Sequence, residues 1–353
     1  MLDFISDTDT GFWMAVCGIL LVFLVVAAIL FLWLGQKFKK QAAVIRRYQE
    51  ESRKNRNGMQ VGEAAEGDSY TRFFPREILE RIMQKQPDGE LLFTQSRMNC
   101  VNMCFNSNAS FEMIHVMSAE NLFAFLNRMT TQTIPMIYQS GGVVERFEEV
   151  GMNVFYFERQ DKEALLCAIS ICTHLEELCR REKNDYYNSY SIGICMDHIM
   201  IGVAGDQNRA SILSFSAGAP GFIRWLQKMA LNYYARIIVT EEYLNQLEDV
   251  QKQFHIRKLG AVWLQGMQCL QVIYDVYDGD PAETRNMKRQ TKMLFEEGVE
   301  LYAKGKLEDA RRHFVEVIKA DENDRAARRY IKLCEEKDGR YQTAGGLYCI
   351  EIF

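Results

Sequence analysis

Proline is scarce, at five in 353 residues beside 23 glycines, and that excludes a collagen-like chain or a largely disordered one. A basic excess is missing too. Against 42 Lys and Arg stand 47 Asp and Glu, for a formal charge of −5, so a dedicated nucleic-acid binder is not expected. The ten cysteines contain no CxxC pair and no zinc-ribbon spacing with a histidine. They read as small, reduced core hydrophobes, with neither metal site nor disulfide framework. The five histidines (His115, His174, His198, His255, His313) are scattered, with no HExxH or HxH spacing. His198 beside Asp197 is the most tempting pair, but it falls at an expected strand end or turn and reads as structural. No G-x-x-x-x-G-K-[ST] phosphate loop, G-x-G-x-x-G fingerprint or G-x-S-x-G elbow occurs.

What is present begins with an apolar run. Phe12 to Leu34 holds no charged residue and ends in Trp13 and Trp33. At about 1.5 Å per helical residue it spans a hydrocarbon core about 30 Å thick. Asp3, Asp7 and Asp9 precede it and Lys37, Lys39 and Lys40 follow it, the wrong flanks for a cleaved signal peptide. The expectation is an uncleaved anchor at 12–34 in the cell membrane. Residues 1–11 then lie outside, and everything after the span lies in the reducing cytoplasm. Residues 35–70 read as a basic stalk (Arg46, Arg47, Arg53, Lys54) running into a Gly- and Ala-rich linker at 58–70.

From Tyr70 helices and strands mix. Arg72–Arg81 reads as helix, Cys100–Phe105 as a short strand, and Ser118–Tyr138 as a helix capped at Ser118. Val143–Phe147 and Met152–Phe157 read as a hairpin, and Lys162–Arg180 as amphipathic helix. Ser191–Met196 and Ile199–Val203 read as two strands, Gly221–Leu231 as helix and Arg236–Val239 as a buried strand. Ile256–Leu259 and Leu270–Tyr277 close the series as an antiparallel pair. This order makes an α+β domain over 71–280.

After Pro281 the texture becomes polar and helical. Gly298, Leu301, Ala310 and Phe314 stand at tetratricopeptide spacing. The pattern gives a helix to Lys304, a Gly305 turn, a helix over Leu307–Ala320 and a covering helix at Asp324–Glu336. Leu294 takes the repeat's tryptophan position and Glu322 its proline position. One repeat over 281–338 buries little alone and is expected to dock on the sheet domain or on a protein partner. The tail, 339–353, ends in an apolar run (LYCIEIF) with no evident core of its own.

The α+β segment resembles the class III adenylate/guanylate cyclase domain from about Phe74 to Tyr277. Val101–Phe111 (VNMCFNSNASF) is similar to the family's first strand, V-T-V-L-F-A-D-I-x-G-F. Ser118–Asn127 (SAENLFAFLN) resembles S-P-E-E-L-V-x-L-L-N, and Gly141–Phe147 (GGVVERF) resembles G-G-x-V-D-K-F. Ser191–Met196 (SIGICM), Ile237–Tyr243 (IIVTEEY) and Arg257–Tyr277 (RKLGAVWLQGMQCLQVIYDVY) fit the later strands. The resemblance implies a ferredoxin-like cyclase sheet with flanking helices, associating as a homo- or heterodimer with sites at the interface.

Cyclising ATP or GTP requires two divalent cations, and hard Mg²⁺ or Mn²⁺ needs carboxylates. The positions matching the family's two metal-binding aspartates are Ser107 and Val150. No Asp or Glu occurs between Glu90 and Glu112. Glu148 and Glu149 adjoin Val150, but a charged turn tip in water is the simpler reading. The family's D-x-V-N-x-x-x-R run is matched by Ala217, Pro220 and Arg224, of which Arg224 alone is retained and reads as a surface charge.

The expectation is therefore a membrane-anchored pseudo-cyclase without cofactor, catalytic set or metal site, acting in signalling, dimerisation or partner binding. Two alternatives stay open. One is a divergent cyclase using Glu148 or Glu149 with Mg²⁺ or Mn²⁺. The other is a scaffold in which the helical repeat works and the sheet is passive.

Overall fold

The computed structural model describes residues 75–85, 95–157, 160–205, 210–217, 219–335, 341–342 and 348–353. The expected membrane span, stalk and linker lie outside these residues. Among the described residues no helix is long and apolar enough to cross a membrane.

Pro75 precedes α1 (Arg76–Lys85), whose Ile78, Leu79 and Ile82 are buried. β1 (Gln95–Ser107) leads to α2 (Ser110–Val116) and α3 (Ala119–Gln139). Ser118 caps α3 by accepting from Asn121 N–H at 3.3 Å, as the sequence pattern expects. Phe125, Met129, Thr133 and Ile137 recur every fourth residue on its buried face. The hairpin is β2 (Val143–Phe147) and β3 (Met152–Phe157), followed by α4 (Asp161–Glu182) and β4 (Tyr190–Gly205). β1, β2, β3 and β4 stand in the order β4-β1-β3-β2 with every neighbouring pair antiparallel, the ferredoxin-like arrangement.

β4 differs from the two strands read in the sequence. It runs unbroken because β1 pairs along it from Ser107↔Tyr190 to Gln95↔Gly202. His198 therefore lies within a strand, with Nδ1 2.7 Å from Asn99 Oδ1 on β1. The far half of β4 also pairs with β5 (Ala210–Ser216), an element the sequence reading lacks.

Next come α5 (Phe222–Tyr233), β6 (Ile237–Thr240), two one-turn helices, α6 (Glu241–Leu244) and α7 (Val250–Gln253), then β7 (Ile256–Leu264) and β8 (Cys269–Val276). These strands extend the sheet to β7-β8-β6-β4-β1-β3-β2. One core lies beneath α3 and α4, around Met103, Phe105, Val154, Leu165, Ile171 and Ile194. The second is shared between α5, the other sheet face and the C-terminal helices, around Leu226, Ile238, Val262, Phe295 and Phe314.

Those helices are α8 (Ala282–Ala303), α9 (Leu307–Ala320) and α10 (Arg325–Glu335). Gly298 lets α8 and α9 approach: a Cβ there would stand 2.9 Å from the Phe314 ring. Phe314 stacks on Tyr330 of α10 at 4.4 Å. The three helices dock on the sheet through an almost fully buried ion network. Arg257 of β7 meets Asp324 at 2.6 Å, while Lys288 of α8 meets Asp275 of β8 at 2.7 Å and Asp280 at 2.6 Å. The Arg257 guanidinium lies 4.2 Å above the Phe295 ring.

The tail, without a core of its own, packs into the second core. β9 (Tyr341–Gln342) pairs with β10 (Tyr348–Cys349), and β11 (Glu351–Ile352) joins the large sheet in parallel beside β7. Ile350 is 2% exposed. The nine described cysteines are all unpaired, and eight are buried. Burial pushes the Cys172 thiol up to about 12, so it stays neutral.

Candidate functional site

A polar cleft of about 170 Å³ opens on the sheet face that carries α5. Its floor is a row of polar side chains from strands that are otherwise apolar. On β1, Asn102 donates through Nδ2 to Asp197 Oδ2 of β4 at 2.9 Å; on β3, Asn153 donates through Nδ2 to Glu145 Oε2 of β2 at 3.4 Å. β5 closes over this row. Its Ser216 hydroxyl donates to Asp197 Oδ1 at 2.8 Å and its Ser214 hydroxyl to Glu145 Oε1 at 2.9 Å. A carboxylate only accepts, so each asparagine turns its NH2 to its acid. The amide oxygens of Asn102 and Asn153 are buried without a hydrogen-bond partner. Burial raises the Glu145 carboxyl above its ordinary range, and Arg146 opposes that shift.

Of the residues singled out in the sequence, the cleft gathers Glu148, Pro220 and Arg224. Arg224 sits in the first turn of α5, after Gly221 takes φ +82° to turn the chain into the helix. Its guanidinium forms an ion pair with Glu148, whose side chain is 6% exposed and also lies 3.6 Å from Arg146 Nε. Glu148 is therefore not a turn tip in water, while Arg224 keeps the exposure of a surface charge, at 43%, but is ion-paired. Glu149 is exposed.

Ser107 and Val150 lie elsewhere. The Ser107 hydroxyl is 2.7 Å from Ser189 Oγ, accepts from Ala109 N–H at 3.1 Å and lies 3.4 Å from Met113 Sδ. It is thus committed to the turn from β1 into α2. Val150 is 1% exposed. Next to it, Gly151 approaches β1 so closely that a Cβ would stand 2.8 Å from Asn106 Cα. Ala217 follows β5 as an exposed residue whose N–H donates to His198 O at 2.7 Å.

The sequence reading missed Glu145, Asn102, Asn153 and the role of Asp197. Their signal was present as polar residues inside apolar strand runs, one each in VNMCF and MNVFYF and the Glu145-Arg146 pair in VVERF. Asp197 and His198 do not act as a pair, because successive strand residues point to opposite faces.

No family model matches the sequence. Over 222 residues, 62% of the chain, it is 23% identical to the terminal-differentiation-specific adenylate cyclase of Dictyostelium discoideum. It spans about a tenth of that protein, 10%. A bacterial light-regulated adenylyl cyclase superposes with a TM-score of 0.51 at 15% identity, covering 63% of this chain and 65% of that one. The fold is cyclase-like. In this cyclase-like domain the Val143–Phe157 hairpin and the helix bearing Arg224 form as the sequence reading expects, whereas β4 is a single strand and β5 is an addition.

Proposed function

We propose that this chain is a membrane-anchored, catalytically silent relative of the nucleotide cyclases, acting as a signalling, dimerisation or interaction module. One observation carries the reading. The two positions that would supply metal carboxylates hold a hydroxyl tied into a turn (Ser107) and a buried apolar side chain (Val150). A pair of Mg²⁺ or Mn²⁺ ions needs anionic oxygens on both strands, and these residues do not fit it. The remaining acids do not substitute. Glu145 and Asp197 are each held by two hydrogen bonds, and Glu148 is held between two arginines. Among the described residues no three His, Cys, Asp or Glu side chains gather as a metal site.

Anchoring rests on the apolar run at 12–34 and its basic flank, with the bulk of the chain cytoplasmic. Homo- or heterodimerisation through the sheet domain rests on the resemblance to cyclases, and partner binding through the C-terminal helices on their repeat-like spacing. The full chain in detergent, given ATP or GTP with Mg²⁺ or Mn²⁺, is expected to yield no cyclic nucleotide; metal-dependent turnover would end this reading. The divergent cyclase stands as a second reading because Glu148 projects into the cleft beside Arg224. It requires turnover that disappears when Glu148 and Glu149 are both replaced by alanine.

A further inference from the structure

β7 lies at the rim of the sheet, where an uncovered strand presents a row of unpaired N–H and C=O groups. The tail covers it. Ile350 N–H donates to Ala261 O at 2.8 Å, Phe353 N–H to Trp263 O at 2.9 Å, and Gln265 N–H to Phe353 O at 2.8 Å. Successive side chains meet different partners. Ile350 enters the core over Gly260, where φ is +130° and a Cβ would stand 3.0 Å from Ile350 Cγ2. Glu351 forms an ion pair with Arg329 of α10, which also donates to Tyr233 Oη at 3.2 Å. The Phe353 ring sits 5.5 Å from Phe222 and 5.4 Å from Trp225.

Phe222 and Trp225 belong to the helix that carries Arg224. The space around Phe353, about 400 Å³, is walled by Ala219 and Pro220, which also wall the polar cleft. The tail therefore bears on the turn and helix that close the cleft. Its hold is short: two ladder pairs, Glu351↔Val262 and Ile352↔Trp263, fewer than join any other neighbours described in that sheet. Short peripheral strands open at lower cost than central ones.

We infer that the β7 edge is a peptide-docking groove, held in cis by residues 350–353, whose occupant positions the cleft wall bearing Arg224. The partner that fits is an extended peptide adding in parallel, aliphatic at its first position, acidic at its second and aromatic at its fourth. Main-chain bonds supply affinity and the alternating side chains supply selectivity. This role is independent of whether the cleft turns over a nucleotide.

The test uses the full chain in detergent with residues 348–353 deleted, and a labelled synthetic peptide of residues 347–353. The deletion variant is expected to bind the peptide saturably, about ten-fold or more tighter than the intact chain, whose own tail competes at high effective concentration. A Glu351→Lys peptide should bind more weakly and be rescued by Arg329→Glu in the deletion variant. Bound peptide should also slow amide exchange over residues 219–226. Should the deletion cost the fold, intact chain carrying Phe353→Ala takes its place, since a loosened strand admits the peptide. Folded variants that bind no peptide, binding indifferent to the charge exchange, or loss of the fold in both variants would each overturn the inference.

Discussion

Arg224 in the first turn of α5 is ion-paired with Glu148 of the β2–β3 hairpin. The pair joins two segments distant in sequence across a polar cleft. The cleft closes on itself: its acids are matched by arginines, serines and asparagines of the same chain.

Breaking that pair should cost little, because Arg224 is 43% exposed. Arg224→Ala and Glu148→Ala are each expected to lower stability by about 1 kcal/mol. The double variant should lose less than the sum. Urea midpoints of the three variants measure the coupling, and strict additivity would mean that the ion pair contributes nothing.

Supplying a missing carboxylate should not create an enzyme. Val150→Asp buries a charge in a 1% exposed site and is expected to cost roughly 2–4 kcal/mol of stability. Combined with Ser107→Asp it should lose more and still form no cyclic nucleotide. Denaturant midpoints and product assays on the same preparations check both parts.

The C-terminal helices and the sheet should unfold together, since they share a core. Phe314→Ala, which empties a fully buried site stacked on Tyr330, is expected to cost roughly 3–5 kcal/mol. It should lower the single melting transition seen by circular dichroism. A variant in which the helices melt first while the sheet persists would contradict the shared core.

Among the described residues Lys288 alone pairs with both Asp275 and Asp280, Arg257 lying 3.6 Å from Asp275 only, so Lys288→Met should cost roughly 3–5 kcal/mol by leaving buried carboxylates short of a cation. The network also sets a pH dependence. Burial raises Asp275 from 3.8 to about 6, although Lys288 and Arg257 oppose the shift. The folded state thus holds this proton more tightly than the unfolded chain. Its contribution is present below the unfolded value and lost as pH rises from about 4 to about 6. Asp324 is shifted down by Arg257 and contributes in the opposite sense, losing its stabilisation in acid. Urea midpoints across that range should fall less steeply with rising pH in Asp275→Asn than in the parent.

Much of the fold was legible because periodicity and caps report local structure. Ser118 marked a helix start, and the Val143–Phe157 hairpin matched its alternating runs. Long-range pairing was not legible. β4 appeared as two strands because Asp197 and His198 interrupt its apolar run, and only pairing with β1 shows it to be continuous. β5 (ASILSFS) is nowhere fully buried and leaves Leu213 and Phe215 exposed, so it lacks the apolar-in, polar-out alternation that marks a strand. The tail looked coreless because its core belongs to β7 and α10. At the site, the absence of any Asp or Glu between Glu90 and Glu112 was plain from the sequence. The ladder Glu145–Asn153 and Asn102–Asp197 was not, since hydrogen-bond partners up to 95 residues apart leave no local pattern.

The central claim concerns cations, and manganese electron paramagnetic resonance addresses it most directly. The full chain in detergent would be titrated with Mn²⁺ beside a non-cyclisable ATP or GTP analogue. The expected result is no bound manganese beyond what the free nucleotide holds. Two protein-dependent Mn²⁺ ions per site, lost on replacing Glu148 and Glu149, would contradict the account.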